Sequence, residues 1–195
     1  RACPQKYVTG AMVEGEIAAI DMVSKLDADT SDGSPDTSAF DEKKALEAKA
    51  SEYDHFLTES PQMFTTEAIE EAMQKVMDNY AGGISTHYQF NGKQLALAKE
   101  KINHLIELTG DLYASDMHEL MFIYELKERL TVCISVIAHL GARKETRWHS
   151  FAENLDYPGK SDDWMKYVNS KYENGQLHMI YRELVGREAR YEHND

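Results

Sequence analysis

A chain of 195 residues, 42% of them hydrophobic, is long enough to bury one core and too apolar to be disordered through most of its length. Its 34 acidic side chains against 21 basic ones leave a formal charge of −13, a field that repels phosphate backbones and anionic lipid and so argues against a nucleic-acid or membrane-surface role. The longest apolar run, LTVCISVIAHLGA at 130–142, is too short to span a bilayer, and no signal peptide is visible.

Two cysteines cannot make a disulfide framework, and Cys133, inside the apolar run, reads as a small buried hydrophobe of a reducing, cytoplasmic compartment. The first residue is Arg1 rather than Met, so an upstream part is expected.

Helical spacing comes first in the chain. In 9–26, Met12, Ile17, Ile20, Val23 and Leu26 recur at a helical period, with Thr9 as a plausible N-cap. The stretch at 28–40, rich in Asp, Ser, Thr, Gly and Pro, is a linker and the best internal boundary. A polar helix is expected over 41–57, with Asp41 and Glu42 at the positive end of its dipole. The next runs over 65–83, from a Thr start to a Gly-Gly stop. A fourth at 91–111 places Leu95, Leu97, Ala98, Ile102, Leu105, Ile106 and Leu108 as its apolar positions. The longest and most apolar, 115–143, is expected at the centre of a helical bundle. After Pro158 the period changes to alternation on both sides of Asn174-Gly175, a strong hairpin signal, here near 164–184. The expected fold is mainly α, a helical bundle closed by a small C-terminal β-hairpin.

Most candidate chemistry has a plainer explanation. Glu52 and His55 form one Glu-x-x-His motif of the kind used by di-iron bundles, but it stands on the most polar helix and no second copy accompanies it. Cys3 and Cys133 lack a CxxC neighbour, and no nucleophile elbow is present. His139 fits a satisfied histidine near a helix C-terminus, and the nine methionines fit gap-filling in the core.

Two places remain. The small-residue stretch 7–15, read as a turn feeding a helix N-terminus, could hold a phosphate or a partly anionic carbonyl, although a plain helix cap explains it equally. The stretch ARKETRWHSFAENLDYP at 142–158 gathers Arg143, Lys144, Arg147 and His149 within seven residues of an acidic protein. It suits the rim of an anion site or a docking surface. Its plainer reading has Arg143 and Lys144 capping the long helix and Arg147 paired with Glu145 or Asp156.

These segments, in this order, resemble the succinate dehydrogenase and fumarate reductase flavoprotein superfamily, and most closely its adenylylsulfate reductase alpha-subunit branch. TGAMVEGEIAA at 9–19 is similar to the last FAD-contacting helix of those proteins. ISTHYQFNGKQLALAKEKI at 84–102, the Arg-Lys-Glu-Thr-Arg-Trp-His and Asp-Tyr-Pro pieces, and YVNSKYENGQLHMIYREL at 167–184 resemble their helical C-terminal domain and its hairpin. The resemblance implies that residues 1–27 are the final helix of an FAD-binding domain and that 41–195 are the helical C-terminal domain. It implies FAD as cofactor, with Thr9, Gly10, Ala11, Glu14 and Gly15 near the flavin. It also implies an iron–sulfur partner subunit, with Arg143, Lys144, Arg147, Trp148 and His149 as interface rather than catalytic residues. The Gly-x-Gly-x-x-Gly fingerprint is absent, so this chain alone is expected to be inactive. The reaction implied is two-electron reduction of adenylylsulfate to AMP and sulfite. The alternatives are a fumarate reductase or succinate dehydrogenase type of flavoprotein, or a standalone helical interaction module without flavin.

Overall fold

The computed structural model describes residues 4–28, 41–60, 63–147, 149, 151–174 and 176–184. They fall into two units, residues 1–49 and 50–195. The linker expected at 28–40 and the residue Trp148 lie outside the described residues, apart from Ala28.

The first unit holds helix α1, Pro4–Ala28, and the start of α2, Glu42–Leu57. Helix α1 begins earlier than its apolar spacing suggests, with Pro4 as its first residue, where a fixed φ and a missing N–H cost nothing. Thr9 therefore lies within the helix and does not cap it. Helix α2 starts where expected: Asp41 Oδ1 accepts the Lys44 N–H at 3.0 Å, an N-cap bond.

The second unit is a helical bundle with a hairpin. Helix α3, Thr66–Tyr80, is capped by Thr65, whose side chain accepts the Ala68 N–H. It stops at Gly82, whose φ of +77° suits glycine. Helix α4, Gly92–Leu108, opens with a capping box in which Asn91 and Gln94 satisfy each other's backbone N–H groups. Helix α5, Met117–Ala142, is capped by Asp116, which accepts from His118 N and Glu119 N. The core is formed by Phe56 of α2, Ile69 and Met73 of α3, Leu95, Ala98, Ile102 and Leu105 of α4, and Leu120, Ile123, Leu126, Leu130 and Ile137 of α5. Along α5 these buried positions follow i, i+3, i+4 spacing and keep one face in the core.

Helix α5 is not enclosed, as a central helix would be. Met117, Met121, Phe122, Val132 and Val136 are exposed on it. The methionines also depart from expectation: Met73 is buried, whereas Met12, Met22, Met63, Met117, Met121 and Met165 are exposed. An unbranched apolar side chain marks a helix face as readily as it fills a core gap.

Two small sheets complete the unit. Strand β1, Gln89–Phe90, pairs in parallel with β2, Glu153–Asn154, a contact that alternation over two residues cannot announce. Strands β3, Lys166–Glu173, and β4, Gln176–Glu183, form the expected antiparallel hairpin in the register Glu173 opposite Gln176. Asn174 turns it with a φ of +53°, as a two-residue hairpin loop demands.

Candidate functional site

The segment 143–161 is organised by a carboxylate rather than by its cations. Glu145 lies between Arg143 and Arg147, and its side chain is fully buried. Its oxygens accept Arg147 Nε at 2.9 Å, Arg147 Nη2 at 2.8 Å, Arg143 Nη1 at 2.5 Å and the Ser161 backbone N–H at 3.2 Å. The two bonds from Arg147 form a fork matched to the carboxylate plane. Four donors saturate the acceptor capacity of one carboxylate. The Arg147 hydrogen bonds, helped by Ser161 and Arg143 and opposed by desolvation, pull the Glu145 pKa down to about 2.

The same guanidiniums tie the hairpin to the end of α5. Arg143 also donates to the backbone oxygens of Trp164 and Lys166, at 3.0 Å each, and Arg147 Nη2 reaches Ser161 O at 3.3 Å. His139, one turn earlier on α5, meets Ser170 Oγ of β3 at 3.0 Å. Arg143 is the C-cap residue of α5 through its backbone, while its side chain serves the hairpin. The expected Arg147–Glu145 pair is present; Asp156, the other expected partner, instead accepts the Gly92 N–H at 2.7 Å and places a negative charge at the α4 N-terminus.

Thr146 and Asn154 finish the fastening. Thr146 is buried; its Oγ1 donates to Tyr157 O at 2.8 Å and accepts the Asn154 N–H at 2.9 Å, and its own N–H bonds Gly159 O. Asn154 Nδ2 returns a bond to Arg143 O. Backbone bonds from Glu153 N to Tyr88 O and from Leu155 N to Phe90 O then hold the segment on the bundle.

The sequence-expected interface residues are thus divided. Arg143 and Arg147 are brought together by Glu145 and are half-buried. Lys144 is exposed, and so is His149, whose Nδ1 lies 3.4 Å from a Glu153 carboxylate oxygen. Beside the arginine pair is a cleft of about 550 Å³, lined by residues of α5, β1, β3 and the segment itself. Glu145, Thr146, Asn154 and Asp156 are the residues that sequence reasoning missed as organisers. A lone acid among four cations was the available signal for Glu145.

Within the first unit, Thr9, Gly10, Ala11, Glu14 and Gly15, the residues expected near a flavin, all lie inside helix α1. The open N–H groups of α1 belong to the turn after Pro4, and Thr9, Gly10 and Ala11 fall in the next turn, where the N–H groups are taken within the helix. A Cβ placed on Gly15 would meet nothing within 4 Å, so that glycine marks no close approach among these residues. No catalytic step through a flavin follows from this arrangement.

The other candidates have structural partners. Glu52 pairs with Lys127 at 3.1 Å and His55 Nε2 meets Gly110 O at 2.8 Å, so the Glu-x-x-His motif serves the helix packing. Burial raises the Cys133 thiol pKa, which disfavours the thiolate. Among the described residues, no helix is long and apolar enough to cross a membrane.

Comparison with known proteins places this architecture. No known family profile matches the chain. A stretch of 100 residues, 51% of the chain, is 33% identical to the adenylylsulfate reductase subunit alpha of Megalodesulfovibrio gigas, of which it spans 15%. The adenylylsulfate reductase structure from Archaeoglobus fulgidus superposes with a TM-score of 0.68 and 31% identity, over 75% of this chain and 25% of that one. Escherichia coli quinol fumarate reductase FrdA superposes with a TM-score of 0.60 at 18% identity, which is a likeness of fold. The chain spans only about a quarter of the structures it matches. In sequence and fold it is a relative of one portion of the adenylylsulfate reductase alpha subunit, and it shares the helical C-terminal fold of the fumarate reductase and succinate dehydrogenase flavoproteins.

Proposed function

We propose that this chain is the C-terminal part of a cytoplasmic FAD-dependent reductase acting on adenylylsulfate, with electrons delivered by an iron–sulfur partner subunit. The observation that carries the reading is the gradient of similarity: 31% identity to an adenylylsulfate reductase structure against 18% to a fumarate reductase, over nearly the same share of this chain. FAD, when bound, would supply the redox chemistry. This chain would supply scaffold. Thr9, Gly10, Ala11, Glu14 and Gly15 of α1 would touch the cofactor once the remainder of its seat is present.

The segment after α5 would form the surface towards the flavin-bearing part and the iron–sulfur partner. There Lys144 and His149, which are exposed, would make the outward contacts, and Trp148 is proposed as a further interface residue, while Arg143 and Arg147 hold the segment in shape through Glu145. A bonded, saturated carboxylate is suited to fixing geometry and unsuited to exchanging protons at neutral pH, which supports a positioning role.

The test is to isolate the native polypeptide with an antibody raised against this chain, record its mass and visible spectrum, and assay it with a reduced viologen. A flavin spectrum with AMP and sulfite formed from adenylylsulfate is the expected result. Reduction of fumarate instead would move it to the dicarboxylate branch. A flavin-free species of the mass of this chain would leave a helical interaction module.

A further inference from the structure

The cleft at the end of α5 has a chemistry that its structural role does not use. Its apolar wall is Phe90, Val136, Leu140, Ala152 and Val168, with Phe151 at 76% exposure. Its polar lining includes Arg143, Arg147 and Glu145. Glu145 offers nothing to a ligand, because its carboxylate is buried and saturated. Among the described residues, the guanidiniums are not saturated. Arg143 uses Nη1 twice and Nη2 once, leaving Nε and one Nη2 hydrogen; Arg147 uses Nε and Nη2, leaving Nη1. Both remain about 30% exposed, at 32% and 28%. The lining therefore has open donors and no open carboxylate acceptor, which selects an anion over a cation even though Asp162 stands near Arg147 and the chain as a whole is acidic.

We propose that this cleft binds a small amphipathic carboxylate, its apolar or aromatic body against Phe90, Val136, Leu140 and Val168 and its carboxylate on the open N–H groups of Arg143 and Arg147. A volume of about 550 Å³ falls within the range of small-molecule pockets and is ample for an aromatic ring with a short acid chain. The site is independent of flavin, and its occupancy would bear on the hairpin, because Arg143 lines the cleft and fastens the hairpin, and Val168 lines the cleft from strand β3.

The probe is 3-phenylpropionate, with 3-phenylpropan-1-ol as the neutral control of the same shape. Each is titrated into the isotope-labelled chain while backbone amide and arginine Nε resonances are followed. The expected result is saturable shifts at Val136, Leu140, Ala152, Val168 and both arginine side chains, with the acid binding about tenfold more tightly than the alcohol. The variant Val136→Trp fills the cleft from its apolar wall and replaces no member of the arginine–glutamate network, and it should abolish saturation at an unchanged urea midpoint. Equal binding of acid and alcohol, shifts that never saturate, or saturation that survives Val136→Trp would each overturn the proposal; the first two need no variant.

Discussion

Glu145 stays ionised inside the fold because Arg147, Ser161 and Arg143 meet it there, and this has a defined consequence for pH. Its pKa lies at about 2 in the folded chain against 4.5 for an unperturbed glutamate. A lowered folded-state value means that the unfolded chain takes up the proton first. The stabilisation is therefore complete above about pH 5, declines as pH falls through 4.5, and is gone once pH passes below about 2. Glu145→Gln keeps the shape, removes the charge, and should cost about 2 kcal/mol at neutral pH. Urea unfolding of both proteins across pH 7 to pH 2 checks this. Glu71, Asp78 and Glu119 also have lowered pKa values and give both curves a common slope, so the difference between the curves is the quantity to read. A difference that did not shrink towards low pH would mean that the ion pairs do not hold the segment. The sequence displayed four cations here and suggested a surface for anions. Pattern alone could not say that one intervening acid absorbs two of them, because that depends on a backbone bend between Arg143 and Arg147.

Helix α4 shows how one element is fastened from two directions. Its N-terminus is closed locally by the Asn91–Gln94 box and from a distance by Asp156, whose carboxylate reaches Gly92 N. Asn91→Ala should lower the unfolding free energy by about 1 kcal/mol, the usual worth of an N-cap. Asp156→Asn should lower it by about 0.5 kcal/mol, and less in high salt, since its part is charge at a helix dipole. Chemical denaturation of the two single variants and the double variant measures both terms. Strict additivity would show that the box and the carboxylate act separately on this terminus. The local device was legible in Asn-x-x-Gln before an apolar run. The distant one was not, because residues 92 and 156 meet only through the parallel pairing of β1 with β2, and a two-residue bridge carries no period. The hairpin lies at the other extreme, since alternation, Asn-Gly and the absence of competing signals all agree on one register.

Among the described residues, both units keep large apolar side chains in water. In the first unit, α1 exposes Met12, Ile17, Ile20, Met22, Val23 and Leu26, each more than half accessible. In the second, Met117, Met121, Phe122, Val132 and Val136 lie open along α5. Periodicity correctly gathered the α1 residues on one helix, but it reports which side chains share a face and never what covers them. Contiguous apolar surface of this kind marks a place of burial against something else, in keeping with a chain related to a quarter of a larger protein. At low ionic strength the charge of −13 holds copies apart, and salt screens that repulsion without weakening the attraction between apolar faces. The isolated chain should therefore be monomeric in dilute buffer and associate as salt rises towards about 0.5 M, where the Debye length falls to a few ångströms. Sedimentation velocity across a salt series measures this directly. Ile20→Glu with Val23→Lys places an ion pair on the α1 stripe and should suppress the salt-driven association while leaving the second unit's unfolding unchanged. A wild-type chain that stayed monomeric at every salt concentration would show that these faces do not adhere, and the stripe on α1 would then be a helix pattern without a partner.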